Sequence, residues 1–315
     1  LNIITRFWIL DFGFWINFSL WTHGQMRFDL LQALSYLGLI FTEKAPDLMI
    51  IGDNKSGRYS VFASKIGKEV KMAAYYDTIA EEYKKSKELP YRLIEKYTYF
   101  NLLGELAGKS ILDLGCGEGF YTRKFKQKGA ARVVGVDISE KMIELARREE
   151  AREPLGIEYI VCDVLELGQI GSFELVVASY LLNCAQTKEQ LLKMCQSIYA
   201  NLKPGGRFVS INDNVQMLPE LYPICKKYGY TKSISEPLRE GTPINLTFSV
   251  DGHKFSLIDY YLSQTTYGWA FRTAGFQEIR WHKPIVSPEA LEEFGQEFWQ
   301  DFLDYQPMVG IECWK

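Results

Sequence analysis

The sequence predicts an α/β fold: a Rossmann-like, doubly wound, seven-stranded and mostly parallel sheet with an antiparallel last strand and an inserted cap. Three observations predict it. From Met72 onward, short apolar runs alternate with segments of helical spacing. The apolar runs are nearly continuous, as strands buried on both faces require. The first of them, Ser110–Asp113, leads into the glycine-rich turn GCGEG and then an aromatic, basic helical segment.

Taken in order, Tyr75–Lys87 (YYDTIAEEYKKSK) and Pro90–Leu106 read as helices. Ser110–Asp113 is a strand, Tyr121–Lys128 a helix and Arg132–Asp137 (RVVGVD) a strand. Ser139 offers an N-cap to a helix running from Met142 to Glu149. Ile157–Cys162 and Phe173–Ser179 (FELVVAS) are strands. Lys188–Leu202 is an amphipathic helix closed by Pro204-Gly205-Gly206, and Arg207–Asn212 is the next strand. The pattern then loosens. Asp213–Asn245 is rich in Pro, Tyr and Lys, and Leu246–Asp259 reads as a hairpin turning at Asp251-Gly252, so the cap spans about 213–262. Ser263–Ala274 is a helix, Phe276–Trp281 a strand, Pro288–Tyr305 a helix and Met308–Trp314 the last strand. Right-handed crossovers then fix most of the topology. Ligands of such sheets bind beyond the carboxyl ends of the strands, which sets Asp113, Asp137, Asp163 and Ser179 along one rim.

Composition narrows the function. The 315 residues carry a net charge of −3, without the basic field that a nonspecific grip on nucleic acid needs. The six cysteines form no CxxC pair and only three histidines exist, so no metal site is expected. Scattered cysteines on apolar stretches read as reduced, buried thiols and a cytoplasmic protein.

Residues 1–71 differ from the rest. Leu1–Gly24 is crowded with Phe and Trp, but Asp11 and Asn17 interrupt it, so stable membrane insertion is not expected. It also lacks the basic start and cleavage site of a signal peptide. The stretch Gly67-Lys-Glu-Val-Lys-Met72 back-translates to a purine-rich AAGGAGG run shortly before an ATG, the arrangement of a bacterial ribosome-binding site. Met72 is therefore the expected natural start and 1–71 a translated upstream region; the alternative is a genuine small N-terminal appendage. A native N-terminus upstream of Met72 in mass spectrometry contradicts the first reading.

The turn itself is selective. Gly115, Gly117 and Gly119 give GxGxG; the dinucleotide spacing wants glycine where Phe120 stands, and no phosphate loop is present. Asp113, two residues before the first glycine, would repel a pyrophosphate and suit a cationic ligand. S-adenosylmethionine is such a ligand, with a sulfonium, an ammonium and no phosphate. Asp137, about 20 residues on, is placed for the ribose hydroxyls. Asp163 is placed for the adenine amino group, with Ile138, Met142 and Val164 able to sandwich the ring.

The segments ILDLGCGEG (Ile111–Gly119), VVGVDISEKMI (Val133–Ile143), CDV (Cys162–Val164), FELVVASYLLN (Phe173–Asn183) and LKPGGRFV (Leu202–Val209) resemble class I S-adenosylmethionine-dependent methyltransferases. The resemblance covers Met72 to Lys315 and does not reach 1–71. YYDTIAEEY, PLGIEYIVCDV, SYLLNCA and FVSINDN resemble the toxoflavin-synthase and teleocidin C-methyltransferase type, whose members act on nitrogen or carbon of different heterocycles. The resemblance implies further cofactor contact from Tyr76, Tyr83, Ser179 and Tyr180.

Methyl transfer to N, C or O of a small-molecule acceptor, by direct in-line displacement, is the activity expected, in secondary metabolism. Alignment supplies most of the catalysis in such a reaction. Tyr180 and Asn183 are the residues expected to face the acceptor, with Asn212, Asp213, Tyr260, Tyr261 and Tyr267 nearby and His253 at the hairpin turn. SYLLNC lacks the Asn/Asp-Pro-Pro-Tyr/Phe motif of enzymes that methylate planar amino groups. A non-catalytic S-adenosylmethionine-binding regulator and a nicotinamide-dependent oxidoreductase are the competing readings. The sequence leaves the oligomeric state open.

Overall fold

A computed structural model describes residues 3–9, 14–20, 49–53, 58–62, 67–250 and 252–315. The chain divides into two compact units, Leu1–Lys71 and Met72–Lys315. In the first, β1 (Ile3–Ile9) pairs antiparallel with β2 (Phe14–Leu20), and β3 (Met49–Asp53) with β4 (Arg58–Phe62). What the sequence led us to expect for the rest of 1–66 lies outside the described residues.

The second unit alternates as its hydrophobic pattern requires. Helices α1 (Gly67–Lys85) and α2 (Tyr91–Leu103) lead into β5 (Ser110–Leu114), α3 (Phe120–Gln127), β6 (Arg132–Asp137), α4 (Glu140–Arg152), β7 (Glu158–Val161) and β8 (Phe173–Ser179). Then come α5 (Lys188–Asn201) and β9 (Leu202–Asp213). The cap follows: a 3-10 helix, Pro219–Tyr228, and an antiparallel sheet of β10 (Tyr230–Ser233), β11 (Pro243–Val250) and β12 (His253–Tyr260). The chain returns through α6 (Gln264–Ala274), β13 (Glu278–His282), α7 (Pro288–Phe294), α8 (Gln296–Tyr305) and β14 (Met308–Trp314).

The main sheet has seven strands in the order β13-β14-β9-β8-β5-β6-β7. Strands β9, β8, β5, β6 and β7 run parallel, and β14 is antiparallel to both its neighbours. The order reverses between β5 and β8, so a crevice opens at their carboxyl ends. Period-2 alternation divides the core between the two faces. Ile111, Leu175, Val177 and Val209 pack with Ile94, Tyr99 and Phe125 on one face; Leu112, Leu114, Val176 and Phe208 pack with Leu191, Ile198 and Phe271 on the other.

Two helices differ from the sequence expectation. The segment expected as one helix over Pro288–Tyr305 breaks at Gly295, whose φ of +79° ends α7 and starts α8. Helix α2 stops at Leu103 because Gly104, at φ +62°, turns the chain out.

Candidate active site

The turn after β5 is built from three left-handed glycines, Gly115 (φ +68°), Gly117 (+55°) and Gly119 (+83°). A side chain at Gly119 would also meet the Tyr159 hydroxyl at 2.5 Å. At Gly117 the nearest atom to an added Cβ is 3.9 Å away, on the Tyr83 ring, so the turn's backbone is open to a close approach on that side. Val136 O accepts from the N–H groups of Gly115 (2.8 Å) and Cys116 (3.0 Å), fastening the turn to the end of β6.

Carboxylates crowd this turn. Asp137, ending β6, accepts from Gly117 N (2.8 Å) through Oδ2 and from Ser139 N (2.9 Å) through Oδ1. Burial pushes its carboxyl up to about 6, against the pull of those two bonds. Asp113 is buried and accepts from Thr122 Oγ1 (2.6 Å) on α3. Burial lifts it to about 7. Glu118 is buried with Oε2 lacking any hydrogen-bond partner. Asp163 Oδ1 accepts from Leu165 N (2.9 Å). None of the four forms an ion pair with a described Lys, Arg or His.

Helix α1 lies against the same rim. Asp77 accepts from Lys141 N (3.0 Å) and from Ser139 Oγ (2.5 Å), tying α1 to the start of α4. Met142 is buried against Ala80 and Leu145, with Tyr76 and Tyr83 packed beside them. Ile138 is half-buried and Val164 fully so. Tyr76 Oη stands 3.9 Å from Cys184 Sγ, so α1 reaches the segment after β8. The structure thus brings Tyr76, Tyr83, Asp113, Gly115, Gly117, Asp137, Ile138, Met142, Asp163 and Val164 around one rim.

Asp113, expected at the cofactor, has its Oδ2 engaged by Thr122. Asn183 was expected to face the acceptor. Its Oδ1 accepts from Asn212 Nδ2 (2.9 Å) and Asp213 N (3.1 Å), clamping the loop after β8 to the end of β9. Ser179 ends β8, and Tyr180 follows it with a φ of +57°, a left-handed conformation uncommon for a bulky residue and found at functional sites. Its hydroxyl lies 4.0 Å from Met308 Sδ. His253 opens β12 opposite Val250.

Sequence reasoning missed Glu118, Asp77 and the buried charges behind the rim. Asp77 sits in the YYDT segment and Glu118 inside the glycine turn, so both were adjacent to residues already singled out. Among the described residues no cluster could hold a metal ion, and no helix is long and apolar enough to cross a membrane.

The raised carboxyls make a stability prediction. Asp113 has a folded pKa of about 7 against an ordinary 3.8, so the folded state keeps a proton that the unfolded chain releases. That stabilisation is full below the ordinary value and is lost as pH rises through about 7. Asp113→Asn lacks the titration. The melting temperature of the variant minus that of the wild type is expected to rise as pH goes from mildly acidic to mildly alkaline; a flat difference contradicts the burial.

A family model described as a methyltransferase domain matches residues 111–206, from β5 into the start of β9. The match takes in less than a third of the chain. In fold the chain is similar to an S-adenosylmethionine-dependent methyltransferase from Mesorhizobium loti, with a TM-score of 0.52, 21% identity and coverage of 70% of this chain and 98% of the other. The chain is also similar to the N-demethylindolmycin N-methyltransferase of Streptomyces griseus (28% identity; 54% of this chain, 70% of that protein). It resembles the demethylmenaquinone methyltransferase of Lactococcus lactis at 36% identity, over 37% of this chain and 47% of that protein. The chain thus spans less than half the length of this second relative. The matched stretch holds the glycine turn, Asp113, Glu118, Asp137, Asp163 and the loop after β8.

Proposed function

We propose that the protein transfers a methyl group from S-adenosylmethionine to a small-molecule acceptor, of the general kind handled by toxoflavin-synthase-type enzymes. One observation carries the choice of donor: carboxylates without partner cations surround an open glycine turn. Such a seat repels a pyrophosphate and attracts a sulfonium and an ammonium. The orphaned Glu118 Oε2 and the open side of Gly117 fit a ligand of this kind.

When bound, S-adenosylmethionine supplies an electrophilic methyl group. The chain's own residues do the rest. Asp137 keeps acceptor capacity for the ribose hydroxyls, since each carboxylate oxygen has a lone pair beyond those taken by Gly117 and Ser139. Ile138, Met142 and Val164 offer apolar surface for the adenine, and Asp163 an acceptor for its amino group. Tyr76, Tyr83 and Tyr180 wall the site and exclude water, which strengthens the charge interactions inside.

The wall between rim and cap is aromatic and the net charge is −3, which favours a low-molecular-weight acceptor over nucleic acid. The small-molecule relatives named above support the same reading. Release of S-adenosylhomocysteine on addition of a metabolite pool tests it: release is expected, whereas tight donor binding without turnover in any pool favours the regulatory alternative.

A further inference from the structure

The cap places one charged group where no structural duty accounts for it. The inward face of β12 carries Phe255, Leu257 and Asp259, and across the register Asp259 stands opposite Ile244. Two residues in three on that face are apolar, and the third is a carboxylate only 6% exposed. No described residue donates a side-chain or backbone hydrogen bond to that carboxylate, and it forms no ion pair of its own. Its neighbour Asp213, at the end of β9, is neutralised by Lys232 of β10 at 2.5 Å, with Lys232 also 4.6 Å from the Tyr222 ring centre. Two carboxylates therefore share one lysine, and Asp259 is the one left over.

Its surroundings locate it. The Cys184 thiol is pushed up to about 12, first by burial and then by the charge of Asp259, with Asp137 and Asp163 acting in the same direction. Contacts tie that face to the rim: the Phe255 ring, on the same face of β12 as Asp259, lies 6.3 Å from the Tyr83 ring, and Cys184 Sγ lies 3.9 Å from Tyr76 Oη. Tyr76, Tyr260 and Tyr267 also feel Asp259, and the Tyr267 hydroxyl is buried without a hydrogen-bond partner among the described residues. Burial, then the charge of Asp213, lifts Asp259 itself to about 8 against the pull of Lys232, the range of a base poised near neutrality.

We propose that Asp259 faces the acceptor and takes the proton from the nitrogen- or oxygen-bound hydrogen of the group that becomes methylated. This rests on the methyl-transfer reading above. The acceptor's lone pair forms the new bond to the methyl carbon, the carbon–sulfur pair stays with sulfur, and the acceptor's hydrogen leaves as a proton to a carboxylate oxygen of Asp259. The acceptor class follows from the same walls: a small, largely apolar or aromatic molecule presenting one N–H or O–H. A carboxylate base suits a proton on nitrogen or oxygen far better than one on unactivated carbon.

Sinefungin tests this without knowing the acceptor. It is the S-adenosylhomocysteine analogue with an amine-bearing carbon in place of sulfur, and its ammonium projects toward the acceptor side. Calorimetry on the full chain would compare wild type and Asp259→Asn with both ligands at a pH above about 8, where the Asp259 carboxyl is ionised. The variant is expected to bind S-adenosylhomocysteine within about twofold of wild type and sinefungin about tenfold more weakly, the loss of one charge contact. Asp259→Ser should give the same split, and retained S-adenosylhomocysteine binding shows that each variant is folded. Equal effects on the two ligands, whether both lost or both unchanged, overturn the proposal. Failure of wild type to bind S-adenosylhomocysteine overturns the methyl-transfer reading instead, and Asp259's role with it.

Discussion

Asp137→Ala is expected to weaken S-adenosylmethionine binding by about a hundredfold or more, from hydrogen bonds to a charged group worth roughly 1.5–3 kcal/mol each. Two effects add. The ribose diol loses its charged acceptor, and the glycine turn loses a fastening, because Asp137 also holds Gly117 N and Ser139 N. Asp137→Asn separates them. The amide retains one oxygen acceptor but cannot accept from both backbone N–H groups, so an intermediate loss is expected. Calorimetric affinity unchanged in the alanine variant would remove Asp137 from the cofactor site.

The largest stability effect is expected from Glu95→Ala. Glu95 is fully buried on α2 and accepts from Arg92 Nη1 (2.6 Å) and the Tyr121 hydroxyl (2.6 Å). Arg92 is itself buried, donates to Ser86 Oγ (3.3 Å), and leaves Nε without a partner. Removing Glu95 leaves a guanidinium in the core with no counter-charge, at a cost of about 3–5 kcal/mol. That is a large share of the roughly 5–15 kcal/mol that holds a domain folded. Urea denaturation measures it directly. The guanidinium lies 5.9 Å from the ring centres of both Tyr83 and Tyr180, so loss of the pair should also loosen the wall of the site. A loss below about 1 kcal/mol would mean that the pair is exposed to water.

Much of the fold was legible because its signals are local. Arg132–Asp137, Phe173–Ser179 and Met308–Trp314 are apolar runs with clear punctuation, and they are strands with those bounds. The break at Gly295 was not legible, since the apolar periodicity continues on both sides of a single glycine. The rim was legible where strand ends carry a carboxylate. The roles of the side chains were not, because they depend on partners far apart in the chain. Asn183 finds Asn212, Asp113 finds Thr122, and Glu95 finds Tyr121 only after the sheet has assembled. Asp259 was half-visible: period-2 spacing from Phe255 through Leu257 puts it on the inward face, yet only the fold shows that Asp213 has already taken the lysine.

The central claim is that the glycine turn seats a cationic, phosphate-free ligand. Calorimetric titration of the chain with S-adenosylmethionine and, separately, with NAD tests it most directly. Saturable binding of S-adenosylmethionine with no heat from NAD is the predicted result. Binding of NAD in preference to S-adenosylmethionine would contradict it.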